Sequence, residues 1–98
     1  MRVVFADKQL ADVCSARRRL VTRWGTAAHS VELALCSLRA GLTLNTFLAL
    51  PNVTKENDAV IFTTTIAAVR LLLAELHTTD GVPAVVVSEI DTPDQELS

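Results

Sequence analysis

The feature that most constrains the fold is the longest apolar block of the chain, residues 59–76, which a turn separates from a second block, residues 82–90. β-Branched residues dominate VIFTTT in the first block and PAVVVSEI around the second, and such residues favour strands. The segment between them, IAAVRLLLAEL, consists mainly of good helix formers. Periodicity alone therefore leaves this middle segment open between strand and helix. Asp80-Gly81 supplies a turn before the last strand.

Arg70 interrupts the first apolar block and is the only cation between Lys55 and the C-terminus. A charged side chain in such surroundings needs either a partner or a function. Either Arg70 pairs across the sheet with a carboxylate, for which Glu56, Glu75 and Glu89 are the candidates, or it lies exposed and contacts a ligand. We expect the exposed, functional arrangement.

The region N-terminal to the apolar blocks predicts one strand and two helices. Residues 2–5 (RVVF) are a β-branched and aromatic run that indicates a strand. Apolar side chains then recur every three or four positions through residues 7–25, with Asp7 suited to cap this helix. A second helix is expected over residues 26–41, capped by Thr26 and ended by Gly41.

The connection to the apolar blocks contains a short leucine-rich segment and a loop. Thr43 is expected to cap a single helical turn that stops before Pro51. Residues 52–58 (NVTKEND) are polar and predict a loop, and residues 91–98 (DTPDQELS) predict a polar tail. The whole chain, residues 1–98, is expected to form one domain.

Charge is distributed unevenly along the 98 residues, half of which are apolar. Formal net charge is −2, so the chain as a whole has no electrostatic footprint for nucleic acid. Eight of the nine Lys and Arg residues precede residue 56, including the run Arg17–Arg19, whereas six acids and no base follow Arg70. This asymmetry indicates either a dipole that steers partners or a solvated surface.

Several classes of site are not expected. Cys14 and Cys36 lack CxxC spacing and are interpreted as small buried thiols in a reducing compartment. His29 has no second histidine nearby, so we expect no metal site, and no motif indicates a cofactor. No apolar run approaches the ~18 charge-free residues of a membrane helix, and no signal segment opens the chain. A cytoplasmic protein is expected.

The order of elements resembles that of the RelE/ParE toxin superfamily, and its HigB-like branch most. The opening RVVFADKQLADVC, the leucine segment LTLNTFLALP, and the paired segments VRLLLAEL and DGVPAVVVSEID carry the resemblance. It implies an α+β fold in which two N-terminal helices pack on a small, mainly antiparallel sheet, in the order β-α-α-β-β-β. It also assigns the middle segment to a strand. Antiparallel strands are then expected at residues 59–64, 68–75 and 84–90, with residues 2–5 in the same sheet.

The resemblance also implies a function. Toxins of this family bind the ribosomal A site and cleave mRNA, and a small helix-turn-helix antitoxin neutralises them. The chain is accordingly expected to be the toxin of a type II toxin–antitoxin system, a ribosome-dependent mRNA endonuclease with a HigA-like antitoxin as its partner. Such cleavage needs cations for the phosphate, a base for the 2′-OH and an acid for the leaving oxygen. Arg70, Asp91 and His77 are the catalytic candidates, and Lys55 and Arg70 the RNA-binding ones.

The chain also departs from the family pattern. Thr92 and Pro93 stand where the family usually carries tyrosine and histidine, and Lys55 is alone in a loop that is usually rich in lysine. Three interpretations therefore stay open: a nuclease with a non-standard site, a toxin-fold protein that acts by binding a protein target as gyrase-directed ParE-like members do, or an unrelated small α+β domain. The basic stretch around Arg17–Arg19 and Arg23 is either an antitoxin contact or a solvated helix face.

Overall fold

The computed structural model describes residues 1–76 and 79–92. The helical elements in these residues are α1 (Lys8–Cys14), α2 (Arg17–Trp24), a 3-10 turn (Gly25–Ala27), α3 (Ala28–Ala40) and α4 (Leu44–Leu48). The strands are β1 (Arg2–Phe5), β2 (Val53–Glu56), β3 (Ala59–Thr63), β4 (Ala68–Leu76) and β5 (Ala84–Asp91). None of the helices in these two ranges has the length and apolar character needed to cross a membrane.

The strands form one five-stranded sheet in the order β1-β5-β4-β3-β2. Neighbouring strands from β2 to β5 are antiparallel, whereas β1 pairs parallel with β5 and makes the sheet mixed. The predicted α+β class is confirmed, as are the three antiparallel strands β3, β4 and β5 and the membership of β1 in their sheet. The ambiguous middle segment is a strand, because Val69 and Leu71 bury their side chains completely at every second position.

The prediction of a loop over residues 52–58 is wrong, because these residues form half of a hairpin. Val53–Glu56 pairs with β3, and Asn57 and Asp58 make the turn between them. Asn57 adopts φ 54°, a left-handed conformation that asparagine tolerates better than most residues. The polar sequence concealed a strand because β2 lies at the edge of the sheet, where charged side chains are favoured.

The prediction of two N-terminal helices is also wrong in number. The stripe over residues 7–25 is divided between α1 and α2, because the Ser15 hydroxyl donates to the Asp12 carbonyl (2.6 Å) and Ala16 is extended. The predicted cap is correct, since the Asp7 carboxylate accepts from the Gln9 amide at 2.8 Å. The second predicted helix begins with a 3-10 turn rather than at Thr26.

The last helix, α4, lies in the middle of the chain and not at its N-terminal end. Its predicted cap is confirmed, because the Thr43 hydroxyl accepts from the Thr46 amide at 3.2 Å. Phe47, which α4 contributes to the core, is fully buried and stacks on Phe62 of β3 with ring centroids 6.3 Å apart. The short helix therefore anchors the crossover between the helices and the hairpin.

The helices cover a single face of the sheet. On α3, Val31, Ala34, Leu35 and Leu38 form the buried stripe that this spacing predicts. The sheet contributes the alternate side chains that face these helices, namely Val60, Phe62, Val69, Leu71, Val85, Val87 and Ile90. The intervening strand residues point to the other side, which we call the open face because no described helix covers it.

A threonine ties the β3–β4 connection to the core. The Thr64 hydroxyl accepts from the Ile66 and Ala67 amides (3.2 and 3.0 Å) and lies 2.7 Å from the hydroxyl of Ser30. Ser30, on α3, is completely buried. These bonds close a turn that has neither glycine nor asparagine, and they give a buried hydroxyl its partner.

We expect Thr64→Val to destabilise the fold by about 1–3 kcal/mol, because it removes the turn bonds and leaves the buried Ser30 hydroxyl unpaired. In a domain of this size each kcal/mol lowers the melting temperature by about 4–8 °C. Thr65→Val is the matched control, since Thr65 is exposed. Thermal unfolding measures the melting temperatures of both variants. Melting temperatures within about one degree of each other would contradict the role of Thr64.

Candidate functional site

Arg70 lies on the open face of the sheet, in the middle of β4. Its neighbours Val69 and Leu71 are buried on the helix side, whereas Arg70 is exposed, as expected. It stands in register with Ile61 of β3 and Asp91 of β5. Of the two ion pairs between described residues, Arg2–Asp80 and Arg17–Glu32, neither involves Arg70. No carboxylate of the described chain therefore pairs with its guanidinium.

A β-bulge decides which side chains of β5 share the open face with Arg70. The pairing passes from Leu72↔Glu89 to Leu73↔Val87, so Ser88 is an extra residue in β5. The Ser88 hydroxyl donates to the Leu72 carbonyl at 3.3 Å. Because of this extra residue, Val87 and Ile90 both face the core and Glu89 turns to the open face.

Arg70 and Asp91, which the sequence placed in one site, lie opposite each other on neighbouring strands. Together with Leu72 and Glu89 they line a small depression of about 50 Å³. Glu89 entered the sequence reasoning only as an ion-pair partner for Arg70. Its position in the depression depends on the bulge at Ser88. The sequence does not reveal this bulge, because the three residues before Ser88 are valines and valine suits either face of a strand.

A larger cavity of about 420 Å³ adjoins this depression and shares Glu89 and Asp91 with it. Asp7 and Arg23 also line it, and neither was predicted for this site. One oxygen of each aspartate is already bonded to the backbone, that of Asp7 to the Gln9 amide (2.8 Å) and that of Asp91 to the Thr92 amide (2.9 Å). These bonds orient the two carboxylates and leave their other oxygens available.

The structure does not bring Lys55 to Arg70. Lys55 is in register with Val60, which faces the helices, so it lies on the opposite side of the sheet. It borders a separate cavity of about 160 Å³ beside α4. The fourth predicted site residue, His77, lies outside the described residues. Arg70 and Asp91 are therefore the only two of the four predicted site residues that the described chain brings together.

The chemistry of the depression follows from its charges. One guanidinium offers a planar set of donors, but Glu89 and Asp91 add two carboxylates to the same depression. A phosphodiester approaching this site would meet more negative than positive charge. Within residues 1–76 and 79–92, no three His, Cys, Asp or Glu side chains are placed to hold a metal ion. The arrangement is suited to hydrogen bonding and to partners that carry both donors and acceptors.

The cysteines are free, but they differ in accessibility. Burial raises the pKa of the Cys14 thiol, and the positive charge of Arg39 opposes this shift only in part. Cys36 is exposed. A raised pKa reduces the thiolate fraction near neutral pH, so Cys14 is a poor nucleophile.

At pH 8 we therefore expect iodoacetamide to modify Cys36 well before Cys14, because alkylation requires an accessible thiolate. Mass spectrometry of the wild type and of the Cys36→Ser and Cys14→Ser variants measures the two rates separately. Faster modification of Cys14 than of Cys36 would contradict both its burial and the direction of its pKa shift.

No protein-family model, no curated protein and no solved structure matches this chain. The class of protein is therefore defined by the fold and the site alone. It is a small α+β domain whose helices cover one face of a five-stranded mixed sheet, and whose open face carries an arginine beside two carboxylates.

Neighbouring residues on β4 provide a direct check on this geometry. We expect Arg70→Ala to change the free energy of unfolding by no more than about 0.5 kcal/mol, because the side chain is exposed. Leu71→Ala should cost about 2–5 kcal/mol, because Leu71 is fully buried. Urea unfolding measures both, and a large loss for Arg70→Ala would mean that Arg70 is structural.

Proposed function

We propose that the protein is a toxin-fold interaction protein, the toxin of a type II toxin–antitoxin pair, which acts in the cytoplasm by binding a protein target. A small helix-turn-helix protein of the HigA type holds it inactive. The resemblance of its segments to HigB-like toxins supports the toxin assignment, and so does the α+β fold with β3, β4 and β5 as consecutive antiparallel strands.

One observation favours binding over RNA cleavage, namely the charge around Arg70. Two carboxylates share its depression, and Lys55 is on the other face of the sheet. An mRNA nuclease must hold phosphates and stabilise charge that develops on the scissile group, which requires several cations at one place. A single arginine beside Glu89 and Asp91 offers a partner protein donors and acceptors instead.

Induction of the protein in growing cells tests the proposal if growth and mRNA integrity are followed together. We expect growth to stop while primer extension on abundant transcripts detects no new 5′ ends, because the target is a protein. Continued growth after induction would contradict the assignment as a toxin. Arrest accompanied by cuts in translated mRNA would replace binding with cleavage.

Cleavage by a ribosome-dependent mRNA endonuclease is the second candidate, and the cross-strand juxtaposition of Arg70 and Asp91 favours it. In that case Asp91→Asn should reduce cleavage by about 10²–10⁴-fold, the usual effect of losing a general base, with unchanged melting. Arg70→Lys should be intermediate, because it keeps the charge and loses the planar fork. Glu89→Gln is the control, since it removes a repulsive carboxylate and should not reduce cleavage.

The antitoxin is tested by co-expression with the protein encoded by a neighbouring reading frame, followed by size-exclusion chromatography. We expect a stable complex at micromolar concentration. Separate elution of the two proteins would show that this neighbour is not the antitoxin and would remove the partner from the proposal.

A further inference from the structure

A groove of about 810 Å³ lies between α1 and α2, and it shares Arg23 with the cavity that Glu89 and Asp91 border. α2 contributes Arg18, Arg19 and Arg23 to its walls, and α1 contributes Asp12 and Val13. The three guanidinium groups carry more charge than the single carboxylate can balance. The groove is therefore a positively charged cleft on a protein whose net charge is negative.

The arginines of the groove are positioned, but none of the three forms an ion pair with a carboxylate of the described residues. Arg19 donates to the Asp12 carbonyl at 3.2 Å, which bridges the two helices with a neutral acceptor. The Arg23 guanidinium lies 5.8 Å from the centre of the Trp24 ring. Of the arginines on α2, only Arg17 has a carboxylate partner among the described residues, at 3.9 Å, and Arg17 does not line the groove.

This concentration of arginine opposes helix stability. Arg17, Arg18 and Arg19 occupy the first turn of α2, which contains no acidic residue, and Ala16 provides no side-chain cap. Cations near a helix N-terminus face the positive end of the helix dipole, and neighbouring like charges repel. Among these three, Arg18 has no ion pair with a described residue that would offset this cost, and a local rule broken without compensation is typical of functional sites.

We propose that the groove is the docking site for an acidic segment of a partner protein, whose carboxylates pair with Arg18, Arg19 and Arg23. The identification of that partner as an antitoxin rests on the function proposed above. Arginine suits this role because its planar fork binds a carboxylate with two parallel hydrogen bonds. The predicted ligand carries several carboxylates interspersed with apolar side chains.

The composition of the groove favours a peptide over nucleic acid. Asp12 places a carboxylate within it, and the chain as a whole repels a long polyanion. Val13 and the aliphatic stems of the arginines provide apolar surface, which complements side chains such as leucine.

The test uses two labelled probes, a 15-residue peptide composed of Glu and Leu residues and a single-stranded 15-nucleotide RNA. Each probe is titrated with the purified protein, and binding is measured by fluorescence anisotropy. We expect the peptide to bind and the Arg18→Ala, Arg23→Ala double variant to weaken it at least about tenfold, as lost charge-assisted hydrogen bonds do. Arg17→Ala removes the same charge from the same helix outside the groove and should change the affinity less than about twofold.

A second variant separates binding from folding. Arg18→Glu should raise the melting temperature, because an acid replaces a cation in the first turn of α2, while it abolishes peptide binding. Unchanged peptide binding by this variant would overturn the proposal. So would an equal loss in Arg17→Ala, binding of RNA in preference to the peptide, or no binding of either probe.

The outcome does not depend on toxicity or on a neighbouring gene. If the growth and co-expression experiments fail while the peptide binds as expected, the groove stands as a site for acidic segments and the toxin assignment falls. If those experiments succeed while the peptide does not bind, the partner is real and docks elsewhere, and the groove proposal falls alone.

Discussion

The structure depends on the register of β4 between β3 and β5. Val69 and Leu71 of β4 are completely buried against the helices, and their two-residue period forces Arg70 to the opposite side. A shift of one residue would place the guanidinium in the core and two large apolar side chains in water. Burial of a leucine contributes about 1.5–3 kcal/mol, so this register is strongly fixed.

The bulge at Ser88 extends this constraint to the site. It lets Val87 and Ile90 both face the core although they are three positions apart, and it thereby presents Glu89 beside Arg70. The same sheet thus has a helix-covered face that supplies stability and an open face that supplies polar groups. Because two acids accompany the arginine, the open face is suited to a protein partner, while the unneutralised arginines lie on α2.

The sequence predicted the elements whose patterns have one physical solution. The β-branched runs indicated β3 and β5, and the apolar stripe indicated α3. The segment of β4 was open between strand and helix and was assigned to a strand through the family resemblance. The sequence failed where two structures share a pattern: α1 and α2 present the same stripe as a single helix, and an edge strand such as β2 has the polarity of a loop. For the site, Arg70 was identified by its charge within an apolar block, and Asp91 was identified through the family resemblance. Lys55 was misplaced relative to them, because only the pairing register reveals which face a strand residue occupies.

The most direct test of the account is the pairing of Leu73, measured by nuclear Overhauser effects between backbone protons of β4 and β5. The account predicts contacts from Leu73 to Val87, which place Ser88 in a bulge and put Glu89 and Asp91 on the open face with Arg70. Contacts from Leu73 to Ser88 in a continuous ladder would contradict it, because β5 would then have no bulge to turn Val87 and Ile90 to the same side.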